Sequence, residues 1–161
     1  MDFSSFLVLV GFIAACTLAA ATGAVIRPGI WYERLAKPDW RPPNRLFAPV
    51  WSVLYLMIAA SGWSVWREAG FAGAAGPLTL YAAQLLLNAA WTPVFFGLHR
   101  IGLGFAILVA LWLAIGATIG AFYSVSVTAA VLLVPYLAWV SFAGALNYAI
   151  LRLNRASPQP K

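Results

Sequence analysis

Gln84, Asn88, Trp91, Thr92 and Phe95 recur at spacings of three and four, which sets two carboxamides, an indole, a hydroxyl and a phenyl ring on one helix face. These groups hydrogen-bond and stack, but none exchanges a proton near neutral pH, so their chemistry is recognition rather than acid–base work. Trp139, Ser141, Phe142, Ala143, Asn147 and Tyr148 repeat the mixture, and Trp51 and Tyr55 stand one turn apart. A plainer account is available for each. Carboxamides inside an apolar bundle join helices by hydrogen bonds of about 0.6–2 kcal/mol, and on the residues alone that account is the simpler. Tryptophans near helix ends, as at Trp31, Trp40 and Trp63, serve as interfacial anchors.

Groups for covalent or hydrolytic chemistry are sparse. The acids Asp2, Glu33, Asp39 and Glu68 fall outside the apolar runs, and the single histidine, His99, adjoins Arg100 at a run's end. A carboxylate pair, a metal cluster or a hydrolase triad needs ionisable groups converging in a protected site. No catalytic or metal-binding set is therefore expected, and no cofactor is required. The same scarcity argues against an ion-coupled pump, which keeps charge at membrane depth. The lone cysteine, Cys16, lies within an apolar run and reads as a small packing residue.

The elements that position these groups follow from composition. Hydrophobic residues make up 63% of the 161 and charged residues 9%, against roughly 25% charged in soluble domains, so the chain reads as an integral membrane protein. Between ionisable residues run Phe3 to Ile26, Leu46 to Trp66, Ala69 to Leu98 and Ile101 to Leu151, of 24, 21, 30 and 51 residues. A bilayer core of about 30 Å takes about 20 residues of helix, so the first three runs hold one span each and the last holds two, broken at Tyr123–Val127. The expectation is an all-α, five-transmembrane-helix bundle with helices near 4–26, 47–67, 77–98, 102–123 and 128–151. It forms a single domain over 1–155, followed by a short polar tail at 156–161.

Of the ten basic residues only Arg67 falls on the side of the N-terminus; the other nine share the opposite side, which holds the first connector and the tail. Lys and Arg resist translocation, so the C-terminus and first loop are expected in the cytoplasm and the N-terminus outside. The +6 net charge is then mainly topology, and nucleic acid is not an expected partner. Ala19-Ala20-Ala21 resembles a signal-peptidase site, but Met1-Asp2-Phe3 lacks a positive flank, so the segment reads as the first span.

The first connector, Trp31 to Trp51, holds Pro38, Pro42, Pro43 and Pro49 together with Trp31, Trp40 and Trp51. Proline fixes its own φ and turns the preceding residue away from helix, so an ordered, largely non-helical, Pro/Trp-rich loop is expected between helices 1 and 2. Non-helical backbone near membrane depth must be buried in protein or line a cavity, which suits a lid over one end of the bundle.

Trp31-Tyr32, Leu35-x-Lys37-Pro38-x-Trp40-x-Pro42-Pro43, Val50-Trp51-x-x-Leu54-Tyr55, Gln84-x-x-x-Asn88-x-x-Trp91 and Pro135-Tyr136-x-x-Trp139 through Leu146-Asn147 resemble the translocator protein family. That family includes the bacterial tryptophan-rich sensory proteins and the peripheral-type benzodiazepine receptor. The resemblance implies a five-helix bundle, commonly a homodimer, with a cavity beneath the first loop. Its implied ligands are tetrapyrroles (protoporphyrin IX, haem and haem-pathway intermediates), isoquinoline and benzodiazepine-type compounds and, in animals, cholesterol. Carried onto this chain, the pocket would use Tyr32 and Pro42 from the loop, Trp51 and Tyr55, Asn88 and Trp91, and Trp139, Ala143 and Asn147, with Thr22 and Gly23 on the first helix. Indole and phenol faces suit a planar tetrapyrrole, whose carboxylates could meet the basic loop.

The function so implied is a membrane receptor or sensor for tetrapyrroles. A transporter of porphyrin or lipid ligands is the alternative, although no inverted repeat or buried charge is visible. An enzyme promoting light-dependent porphyrin breakdown ranks third; Trp51 and Trp139 would then be its redox candidates. By family resemblance the membrane could be a bacterial outer one, but a helical bundle with this charge bias points to a bacterial inner membrane. Leu146, Tyr148 and Arg152 fit a pattern proposed for sterol contact, one that many helix ends match by chance. Gly116-x-x-x-Gly120 suits either a dimer seam or close packing within one bundle.

Overall fold

The computed structural model describes residues 2–155; Met1, the expected polar tail at 156–161 and Lys161 within it lie outside them. Its elements are α1 (Phe3–Val25), α2 (Ile30–Arg34), a 3-10 turn (Asn44–Leu46), α3 (Phe47–Gly73), α4 (Ala75–Thr92), a π-helical turn (Pro93–Gly97), α5 (Ile101–Tyr123) and α6 (Val127–Arg155). The described residues are helical throughout apart from short connectors. Four helical segments, Phe3–Val25, Asn44–Gly73, Ile101–Tyr123 and Val127–Arg155, are long and apolar enough to cross a membrane.

Local chemistry sets the ends. Asp2 caps α1, its carboxylate accepting from the Ser5 N–H at 2.9 Å. Ser4 also donates to it, and the Ser5 and Ser4 bonds hold the Asp2 carboxyl below the usual aspartate range. The connector after α1 is not wholly extended, because Ile30–Arg34 forms a short helix before the prolines begin. Lys37 finishes it, its Nζ donating to the carbonyls of Glu33 and Leu35, both at 2.9 Å, above the Tyr32 ring.

Three ends differ from the charge-bounded expectation, the simplest being α6, expected to stop at 151, which runs through Arg152 to Arg155. α3 continues beyond residue 67 to Gly73, with a kink at Gly70, whose φ of 66° suits a residue without Cβ. Charge at Arg67 and Glu68 marks where apolar surface ends, whereas the backbone ladder runs on. The helix expected over 77–98 keeps α form only to Thr92. Pro93 cannot donate to the ladder and its ring crowds the preceding turn, so the chain widens, with Leu98 N–H reaching the Pro93 carbonyl at 2.9 Å. His99 then turns the corner at φ 56°, a left-handed conformation uncommon for a residue with a side chain.

The long helices close into a ring in the order α1, α3, α6, α5, α4 and back to α1. Its interior is packed by Ile58, Leu111, Ile115, Phe122, Leu133 and Tyr136, none more than 1% exposed. Gly62 permits the closest approach: a Cβ there would lie 2.7 Å from the Phe12 ring and 2.9 Å from the Tyr81 ring. Hydrogen bonds tie ring neighbours, from Ser61 to the Ala129 carbonyl at 2.7 Å and the Trp63 indole to the Ser5 carbonyl at 3.1 Å, and Tyr81 of α4 reaches across to the Ile58 carbonyl of α3 at 3.2 Å. A Cβ at Gly116 or Gly120 would meet nothing within 4 Å, so neither glycine makes a close internal contact.

Candidate functional site

The α4 face read from the sequence points inward. Asn88, 7% exposed, accepts from the Tyr55 hydroxyl of α3 at 2.6 Å and donates to the Tyr136 hydroxyl of α6 at 2.8 Å. One carboxamide thus joins three helices. Trp51 continues this wall, its ring centroid 5.3 Å from Tyr55 and 6.1 Å from Tyr136. One turn further along α4, the Trp91 indole donates to Asn147 Oδ1 at 3.3 Å, and Asn147 Nδ2 donates to the Ile101 carbonyl at 3.1 Å.

Trp139 completes the wall on α6. Phe47, at the end of the first connector, meets its ring edge-on at 5.7 Å, and the Phe142 ring lies 5.6 Å away. Trp40 from the proline segment meets Phe142 at 5.8 Å, so the loop rests on this aromatic pair. The Trp139 indole N–H is buried and has no hydrogen-bond partner among the described residues. An unmet buried donor costs about 1–3 kcal/mol, which makes it the position in the wall where an acceptor would gain most. Ala143, half-buried, stands one turn beyond Trp139 on the same helix.

The residues singled out from the sequence therefore fall into separate groups. Trp51, Tyr55 and Asn88 are joined by direct contact, and Trp91 and Asn147 by a hydrogen bond. Tyr32 lies elsewhere, buried against Phe95 and Phe96 at 6.2 and 5.2 Å, in a cluster with Leu35, Leu146 and Ile150. Trp91 packs against both this cluster and the main core, stacked 5.1 Å from Phe95. Thr22 is half-buried, and its hydroxyl returns to the Ala19 carbonyl at 2.9 Å. Gly23 is exposed and Pro42 half-buried. Of the sterol-pattern residues, Leu146 is buried whereas Tyr148 is exposed against Phe105, so the pattern is split between two faces of α6; Arg152 is exposed.

Tyr136, Phe47 and Phe142 complete the wall without having been singled out as pocket residues. Tyr136 precedes Trp139 by three, a helical spacing that was visible; Phe47 had no such signal, because its partner is on another helix. Gln84, the first residue of the α4 face, is 1% exposed, and neither end of its carboxamide has a partner among the described residues. A cleft of about 380 Å³ opens at a different place, between the start of α5 and the end of α6.

Comparison with known proteins adds a separate line of observation. The profile of the TspO/MBR family matches residues 6–153. The chain is 40% identical over 161 residues to the tryptophan-rich sensory protein of Cereibacter sphaeroides, covering 100% of this chain and 98% of the relative. It is 44% identical over 148 residues to Protein CrtK of Rhodobacter capsulatus, covering 89% and 90%. It is 42% identical over 149 residues to the human translocator protein, covering 89% and 88%.

Proposed function

Because the chain belongs to the TspO/MBR family, we propose that it is a five-span membrane receptor that binds a tetrapyrrole, such as protoporphyrin IX or haem, against the aromatic wall beneath its first loop. The observation that supports this most is the Trp139 indole N–H, buried without an acceptor among the described residues and bordered by Phe47 and by Phe142, on which Trp40 of the loop packs. A flat ligand gains stacking area from Trp51 and Trp139, and an acceptor on it relieves the unmet donor. Phe47, where the loop joins α3, packs on Trp139, and Trp40 of the loop packs on Phe142, so in this reading entry requires the loop to part from α6. That movement provides a signal: a ligand that favours the parted loop shifts its population and so changes the cytoplasmic face.

In this reading α4, with its π-helical extension, is the fifth span. Its buried carboxamides lower its hydropathy, and one of them, Asn88, gives it hydrogen bonds to α3 and α6. The basic first loop and the end of α6 face the cytoplasm, consistent with a bacterial inner membrane. The molecule acts as a homodimer, and Gly116 and Gly120 of α5, free of internal neighbours, suit the seam.

Titrating protoporphyrin IX into the detergent-purified protein while following tryptophan fluorescence tests the ligand reading. Saturable quenching is expected, weakened in Trp51→Phe and Trp139→Phe variants that keep the helical circular dichroism of the parent. Linear, non-saturating quenching, or the same saturation curve in all three proteins, counts against a tetrapyrrole at this wall.

A further inference from the structure

The cleft between α5 and α6 is separate from the aromatic wall and has its own chemistry. Arg100 and Arg155 line it from the two helices, and no ion pair or hydrogen bond engages either guanidinium among the described residues. The backbone at its floor adds to this charge. The N–H groups of Ile101, Gly102 and Leu103 precede the first ladder bond, from Gly104 to the Arg100 carbonyl at 2.8 Å, and no side chain caps them. Trp31, stacked on His99 with centroids 4.3 Å apart, forms one border. Leu103 and Leu151 form another, and Leu103 is 47% exposed on the apolar outer surface of α5.

A fully polar anion satisfies only the basic part of this lining, whereas a lipid satisfies all of it. We infer that the cleft binds the headgroup phosphate of an anionic phospholipid. Arg100 and Arg155 hold the phosphate at the α5 N-terminus, and the acyl chains run along Leu103. Location supports this occupant, because on the topology proposed above the cleft joins helix ends on the basic side of the chain, where headgroups lie. Trp31 is an indole suited to the same interface. Through Trp31 the bound lipid also touches the first connector, so leaflet composition would bear on how firmly the loop is held.

The test is native mass spectrometry of the full chain in detergent, with phosphatidylglycerol or phosphatidylcholine of matched acyl chains. The parent should retain phosphatidylglycerol in preference to phosphatidylcholine. Arg100→Gln and Arg155→Gln should each lower that preference about fivefold, and the pair should abolish it. Gly102→Asp gives a second route. A Cβ at Gly102 comes no nearer than 3.8 Å to Leu151, and an acid favours the first turn of a helix, so this variant folds while placing negative charge in the cleft. It should lose the preference while Arg27→Gln, outside the cleft, keeps it. Equal retention of both lipids by the parent, or a preference unchanged in Gly102→Asp or in the double arginine variant, overturns the proposal. So does displacement of the lipid by millimolar inorganic phosphate, which would identify a site for small anions.

Discussion

Two buried carboxamides one turn apart on α4 should respond to removal with opposite signs. Asn88 makes two hydrogen bonds, to Tyr55 at 2.6 Å and Tyr136 at 2.8 Å, whereas Gln84 makes none among the described residues. Interhelical hydrogen bonds in membrane proteins contribute on average about 0.6 kcal/mol and at most about 1.7. Asn88→Leu loses two and leaves the Tyr136 hydroxyl, 0% exposed, without a partner, so a loss of about 2 kcal/mol is expected, larger than an average pair because of the stranded hydroxyl. Gln84→Met replaces an unmet amide by an apolar group of similar length and removes a desolvation penalty of about 1–3 kcal/mol, part of which the unfolded chain in detergent also carries. A gain of about 1 kcal/mol is expected. Dodecyl sulfate titration of dodecylmaltoside-solubilised protein, followed by circular dichroism and tryptophan fluorescence together, gives both values where the two signals coincide. Tyr55→Phe, which cuts one bond and leaves the other, should fall between the parent and Asn88→Leu. The reasoning is refuted if Asn88→Leu and Gln84→Met shift the midpoint in the same direction by similar amounts.

Glycine positions should separate close packing from open surface: Gly62→Ala drives a methyl into the Phe12 and Tyr81 rings and should cost about 1–3 kcal/mol, while Gly120→Ala should be neutral or slightly stabilising in the same titration. Ala143→Thr, beside Phe142 and one turn from Trp139, should weaken protoporphyrin binding about tenfold with the fold intact, since a tenfold change is the effect of about 1.4 kcal/mol of crowding or rearranged stacking; unchanged affinity would remove Ala143 from the site. The α1 cap should be pH-dependent. Because its bonds to Ser5 and Ser4 lower the folded pKa of Asp2, its contribution is present above the ordinary aspartate range and is lost as pH falls through the folded value. The carboxyl carbon-13 shift should report a midpoint below that of a free aspartate, and Asp2→Asn, an equally good cap, should remove the acid-side change in α1.

Much of the helical arrangement was legible because membrane helices are bounded by charge. The break at Tyr123–Val127 could be placed inside a 51-residue uncharged run because polarity and length pointed to one position, and α5 and α6 end and begin there. Charge spacing could not show that α3 continues past Arg67 to Gly73, because the limit of the bilayer and the limit of a hydrogen-bond ladder are different physical boundaries. Pro93 marks a candidate break inside the 69–98 run, but a proline does not say which irregular turn follows it; here a π turn leads to a left-handed His99, with Phe95 and Phe96 packed against Tyr32.

The site was legible as a face but not as a set of partners. Spacing put Asn88 and Trp91 on the same side of α4; it could not show that Asn88 would bond Tyr136 while Trp91 bonded Asn147, since both choices are settled across helices. Nor could it show that Gln84, identical in chemistry to its neighbour but one methylene longer, would be left without a partner.

The central claim is that the Trp139 indole N–H meets a bound tetrapyrrole. Nitrogen-15 indole spectra of the detergent-solubilised protein, with the Trp139 resonance assigned by its loss in Trp139→Phe, report this directly during titration with protoporphyrin IX. The account predicts that the Trp139 N–H signal moves downfield as the donor gains an acceptor, saturating at the same concentration as fluorescence quenching. An unmoved Trp139 signal at saturating porphyrin, with shifts confined to other tryptophans, would contradict it.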